Sequence, residues 1–218
     1  MTLLSVRGVS LSVPGRRLLR DLELNVPHAG WVGVAGPSGS GKTRLLRAIA
    51  GLCDADAGEF RLRGTDRQEM AYPEWRRRVS YVGQRAVFLK GTVRFNLERP
   101  FSYASVGARF DVAAAARELE QLRLPRTVLE QDARSLSVGE QQRVALLRTV
   151  SIAPDVVLLD EPTSALDEES VSAVETWLRA RAEAGLSGVI VSHDATQLTR
   201  LTTTQLNLTD FSPGVLGA

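Results

Sequence analysis

The sequence predicts an α/β fold built on a buried parallel sheet, and three short apolar runs carry that reading. Residues 31–35 are apolar and lead through a glycine-rich turn into residues 44–51, which have helical spacing and a glycine stop. Residues 156–159 are wholly aliphatic and end on two acids, Asp160 and Glu161. Residues 188–192 form a third run, which ends at His193. Such runs are too short for helices and lack polar alternation, as expected of parallel strands covered on both faces. A length of 218 residues, with 44% hydrophobic and 24% charged, suits one globular unit or two small lobes sharing a core.

The composition excludes disorder and collagen-like order, and no apolar run approaches the roughly 18–20 residues needed to cross a bilayer. The N-terminal residues show no export signal, so a cytoplasmic location is expected, with any membrane role exerted through a partner. Cys53 is the single cysteine; it cannot form an internal disulfide, has no zinc-type spacing and reads as a small core thiol. His28 precedes a turn and reads as a surface residue. A net charge of +2 with scattered arginines disfavours a nucleic-acid partner. Of 27 basic residues only Lys42 and Lys90 are lysine, and a lysine kept among so many arginines marks a place for a compact ammonium.

Lys42 stands in Gly36-Pro37-Ser38-Gly39-Ser40-Gly41-Lys42-Thr43, with the spacing glycine, four residues, glycine, lysine, threonine. Glycines let the backbone N–H groups turn inward, and the helix that follows adds its positive end, so the segment suits a polyphosphate. Lys42 would bridge the β- and γ-phosphates, and the Thr43 hydroxyl would ligate Mg²⁺. The alternative is a glycine-rich turn with an incidental lysine. A phosphate cradle also needs a carboxylate at the end of a neighbouring strand to hold the metal, directly or through its water shell. Asp160 is the candidate. Strand alternation sends Glu161 elsewhere, where it could take a proton from a water attacking the γ-phosphate. Paired acids after a strand also occur as plain solvated loops.

Residues 136–148 read Leu-Ser-Val-Gly-Glu-Gln-Gln-Arg-Val-Ala-Leu-Leu-Arg, a loop and helix start followed by helical spacing at Val144, Leu147 and Val150. The order of phosphate loop, this motif and Leu158-Leu159-Asp160-Glu161-Pro162-Thr163-Ser164-Ala165-Leu166-Asp167 resembles the nucleotide-binding subunits of ATP-binding-cassette transporters, from about residue 3 to residue 208. That resemblance implies a P-loop NTPase (RecA-like) core with an antiparallel β subdomain, residues 1–84 and 136–218, and an inserted α-helical subdomain, residues 85–135. Within the insertion, residues 111–122 are a strong helix former behind an N-terminal acid. One helix and a final strand near residues 204–208 are expected after His193.

The resemblance also implies that ATP and Mg²⁺ are held by Gly36, Pro37, Ser38, Gly39, Ser40, Gly41, Lys42, Thr43 and Arg44. Gln84 is similar to the family's glutamine that senses Mg²⁺ and the γ-phosphate, with Thr43 and Asp160 as its companions at the metal. His193 occupies the position whose imidazole meets the γ-phosphate; without the family, a lone histidine at a strand end reads as structural. Ser137, Gly139 and Glu140 would close over ATP held by a second copy, and Asp167 would lie at that interface. The implied assembly is a head-to-tail homodimer on a separate polytopic membrane permease at the cytoplasmic face of the membrane, with no nucleic acid.

Two departures from the family pattern stand out. Val138 and Glu140 replace a commoner glycine and glutamine, and residues 11–15 hold no aromatic to stack on adenine. Val13 is the nearest match, so apolar contact would replace stacking at a loss of about 1 kcal/mol, with loose discrimination between ATP and GTP. Residues 88–101, with Asn96-Leu97 and Pro100-Phe101, resemble the iron-export group of these proteins (FetA, YbbL-like). Two other functions compete: a non-transport cassette clamping nucleic acid or ribosomes, whose relatives carry two cassettes or a long insertion, and a binding module without turnover. Lys42, Asp160, Glu161 and His193 together argue against the latter.

Overall fold

In the computed structural model, which describes residues 1–212, two sheets and a layer of helices enclose two hydrophobic cores. β1 (Thr2–Val13) and β2 (Arg16–Pro27) make an antiparallel hairpin; β1 also pairs with β4 (Ala57–Leu62), and β4 with β5 (Thr65–Asp66). The second sheet is entirely parallel: β6 (Val79–Val82), β7 (Val156–Asp160), β8 (Ser187–Val191), β3 (Trp31–Ala35) and β9 (Thr204–Asn207), in that order.

Because strand side chains alternate, each central strand feeds both cores. Val156 and Leu158 of β7, Val189 and Val191 of β8, and Val32 and Val34 of β3 pack with α1 (Lys42–Ile49), α2 (Tyr72–Arg78) and the antiparallel sheet. Val157, Leu159 and Ile190 pack with α3 (Val93–Glu98), α4 (Val112–Gln121), α5 (Val138–Val150), α6 (Glu168–Glu183) and α7 (Ala195–Leu201). Burial on both faces explains the continuous apolar runs in the sequence.

The axis of α1 is fixed from its C-terminal end. Trp75 Nε1 donates to Ile49 O at 2.8 Å, Arg67 to Ala48 O at 2.7 Å and Arg76 to Gly51 O at 2.7 Å. Carbonyls at the C-terminal end of the helix and its exit turn accept these bonds, two of them from cations that complement the helix dipole. The opposite end of α1 therefore points rigidly at the loop leaving β3.

Residues 85–135 contribute no strand to either sheet and close on themselves at a neck, where Val93 N donates to Gln131 O and Ala133 N to Gly91 O. Asn96, 1% exposed, accepts from Leu89 N and donates to Leu89 O and Thr92 O, which ties α3 to the preceding loop. Asp111 caps α4 by accepting from Ala113 N and Ala114 N. Glu118 then joins α4 to α6 through Trp177 Nε1 and Arg181.

Another buried polar network joins α6 to α7. Both carboxylate oxygens of Glu175 are held by Arg200, at 2.7 and 2.8 Å, and Gln197 links Glu175 to Thr163. Burial pushes the Glu175 carboxyl up, but the hydrogen bonds from Arg200 and Gln197 outweigh it and leave the group below its usual range. Glu175→Ala removes these bonds and leaves the buried Gln197 amide with Thr163 alone, so urea unfolding should show a loss of about 2 kcal/mol. A change under about 0.5 kcal/mol would place the network among inconsequential surface pairs.

Candidate functional site

β3 delivers the chain into the glycine loop, where the backbone at Gly36 leaves no room for a side chain. A Cβ on Gly36 would stand 2.8 Å from Ser40 Oγ, and Gly41 takes φ 103, a conformation that favours glycine, while its O accepts from Leu45 N to begin α1. No acid occupies the first turn of α1, so the positive end of the helix is uncompensated. Lys42 is buried and its Nζ donates to Gly36 O at 2.7 Å and Pro37 O at 3.0 Å, folding the side chain around the loop. Burial lowers the Lys42 pKa, and the facing carboxylates Glu161 and Asp160 pull it back up. Ser40 Oγ is buried without a protein partner, an orphaned polar atom inside a loop built to take oxygen-rich ligands.

Asp160 ends β7 with 2% exposure, and its Oδ2 accepts from the Tyr81 hydroxyl at 2.9 Å. Glu161 corrects the expectation drawn from strand alternation. It lies beyond the strand with φ 52, a left-handed conformation uncommon for a residue with a Cβ, and this turn, rather than the pleat, aims its side chain. The backbone is pinned there: Glu161 N donates to Val191 O, while its O accepts from Gln142 Nε2 at 2.8 Å and Ser164 Oγ at 3.1 Å. Its carboxylate is clamped as well, with Gln84 Nε2 donating to Oε2 at 3.0 Å and His193 Nε2 lying 2.9 Å from Oε1.

A cavity of about 670 Å³ joins these groups, with Ser38, Gly39, Gly41, Lys42, Thr43 and Arg44 on one side and Gln84, Glu161 and His193 on the other. Val13, Arg16 and Leu18 supply its remaining wall together with Arg47 and Cys53, and among the described residues no Phe, Tyr or Trp lines it. Cys53, expected in the core, is only half-buried and reaches this wall. Gly36, Pro37, Ser40 and Asp160 are not part of the lining. Among the described residues no cluster of three or more His, Cys, Asp or Glu could hold a metal alone. The donors present, the Thr43 hydroxyl, the Gln84 amide oxygen and the Asp160 carboxylate, are hard oxygens that suit Mg²⁺ completed by phosphate and water.

Ser137, Gly139, Glu140 and Asp167 do not line the cavity of their own chain. Ser137 caps α5 in a reciprocal box: its N and Oγ donate to Glu140 Oε2 at 2.8 and 2.7 Å, and its Oγ accepts from Glu140 N. Those bonds hold the Glu140 carboxyl below its usual range. A Cβ on Gly139 would meet Leu166 at 3.0 Å and Ala165 O at 3.1 Å, so the start of α5 presses against the loop that leads to Asp167, the cap of α6. Val138 is left 64% exposed beside them.

Two participants escape sequence reasoning, Tyr81 and Gln142. Each lies in or beside a recognisable motif, but Tyr81 pairs with Asp160 on the neighbouring strand and Gln142 of α5 with the backbone of Glu161, contacts that exist only in the folded chain.

Residues 19–164 match the family described as ABC transporter. Over 199 residues the chain is 38% identical to Protein STAR1 of Oryza sativa subsp. japonica, covering 90% of this chain and 57% of that protein. Over 213 residues it is 36% identical to the phosphate import ATP-binding protein PstB 2 of Natronomonas pharaonis, covering 91% and 74%. A dimeric bacterial ABC transporter cassette superposes with a TM-score of 0.82 at 25% identity, over 94% of this chain and 95% of that one. The same cassette in a dimeric post-hydrolysis state with ADP and Pi gives 0.79 at 26%, over 94% and 96%.

Proposed function

This chain belongs to the ABC transporter family, and on that premise we propose that it hydrolyses ATP with Mg²⁺, as a head-to-tail homodimer that drives a separate polytopic permease from the cytoplasmic face of a membrane. The supporting observation is the convergence of the groups that follow four adjacent parallel strands. Lys42 comes after β3, Gln84 after β6, Asp160 and Glu161 at the end of β7, and His193 after β8. The carboxyl edge of such a sheet is where α/β folds bind ligands.

In the proposed reaction a water oxygen bonds to the γ-phosphorus as the bond to the ADP oxygen breaks, and Glu161 accepts the water's proton. Gln84 and His193 hold the carboxylate in place. Lys42 and the N-terminus of α1 stabilise the phosphate oxygens. Thr43, Asp160 and Gln84 would hold Mg²⁺, which would supply neutralisation of the phosphate charge. Ser137 and Gly139, off the wall of their own cavity at the start of α5, are available to a second copy's nucleotide.

No described helix is long and apolar enough to cross a membrane. Exposed Val87, Leu89, Phe95 and Tyr103 gather in the segment after Gln84, which Arg148 steadies by donating to Val87 O and stacking over Phe88. This apolar surface, with Lys90 beside it, supports docking of the membrane subunit next to the residue that touches Glu161. The resemblance to iron exporters rests on a run in which Asn96 already serves the fold, so cargo is left to the permease.

Phosphate release should be measured with ATP and GTP, with and without the permease. We expect turnover of both, with KM values within about fivefold, because among the described residues no Phe, Tyr or Trp lines the cavity to stack on a base. Absence of turnover in either setting would overturn the hydrolysis reading, and strict ATP preference would overturn the reading of Val13.

A further inference from the structure

The hydroxyl of Tyr81 reaches from an outer strand to the buried carboxylate proposed for the metal. Tyr81 is opposite Leu158 in the β6–β7 register, and Asp160 lies two residues further along β7, on the same face, so the phenol spans the diagonal between strands. Its Oη–Oδ2 distance is 2.9 Å. Gly83 leaves the space: a Cβ there would stand 3.1 Å from Tyr81 Cε1 and 3.2 Å from Oη. At its other side the ring lines a separate cavity of about 240 Å³ with Leu52, Arg76, Pro100 and Arg148. Tyr81 thus touches both Asp160 and a cleft under the segment that follows Gln84.

We propose that Tyr81 is a positioning residue for the metal: its single hydroxyl proton occupies Oδ2, fixes the rotamer of Asp160 and leaves the other carboxylate oxygen for Mg²⁺ or its water shell. The proposal rests on the reading of the cavity as an Mg²⁺–ATP site. A tyrosine present only to fill the sheet would influence stability, but it would not single out the metal. Outer partners of ligating carboxylates are worth roughly 10–100-fold in metal affinity.

The test is Tyr81→Phe in the full chain, with a fluorescent ATP analogue titrated in EDTA and in rising Mg²⁺. The variant should need about tenfold more Mg²⁺ for half-maximal metal-dependent binding. Its affinity in EDTA should match that of the parent. Adding Tyr81→Phe to Asp160→Asn should change the Mg²⁺ titration no further. An unchanged Mg²⁺ requirement, or equal losses with and without metal, would overturn the role of Tyr81. Failure of the parent chain to bind the analogue would instead overturn the nucleotide site on which the proposal rests.

Discussion

Replacing Glu161 by glutamine is expected to slow phosphate release by about 10²–10⁴-fold, the range a positioned general base contributes. The amide preserves the shape of the side chain. Gln84 can still donate to an oxygen at that place, and the backbone remains pinned at φ 52 by Val191, Gln142 and Ser164. What disappears is the capacity to take a proton, together with one negative charge facing a polyphosphate. Nucleotide binding should therefore persist, and the ATP-bound dimer should become longer-lived. Single-turnover phosphate release and gel filtration in ATP read the two effects separately. Normal turnover in Glu161→Gln would remove this residue as the base.

Lys42→Ala should weaken binding of a fluorescent ATP analogue by at least about tenfold, since a charge-assisted contact to phosphate is lost. The side chain also braces the loop through Gly36 O and Pro37 O, so the deletion removes order as well as charge. The informative companion is Lys42→Arg. The site is 6% exposed, wrapped by backbone, and holds three rotatable donors on a compact ammonium, whereas a planar guanidinium is broader and more rigid. Arginine should fail to restore binding. Full rescue would contradict the inference from this chain's composition, where lysine survives at two positions among 27 basic residues.

Much of the site is legible in the sequence because its motifs are contiguous. The glycine loop, the strand ahead of it, the acids after the aliphatic run and the histidine after residues 188–192 are each set by nearest neighbours along the chain. The helix behind Asp111 and the final strand at β9 are legible for the same reason, since capping and periodicity are local. Alternation fails at Glu161, where the strand has already ended and a left-handed residue resets the direction of the side chain.

Motif and period are enough to identify a phosphate loop and an aliphatic strand with its acids. They could not show that Gln84 and His193 grip one carboxylate, that Tyr81 holds the other, or that Gln142 of α5 braces the Glu161 backbone. Those contacts join strands β6, β7 and β8 and helix α5 across 19 to 79 positions of sequence. Parallel strands meet only through long crossovers, so their register is decided by how both faces of the sheet pack, and that packing exists only in the folded chain.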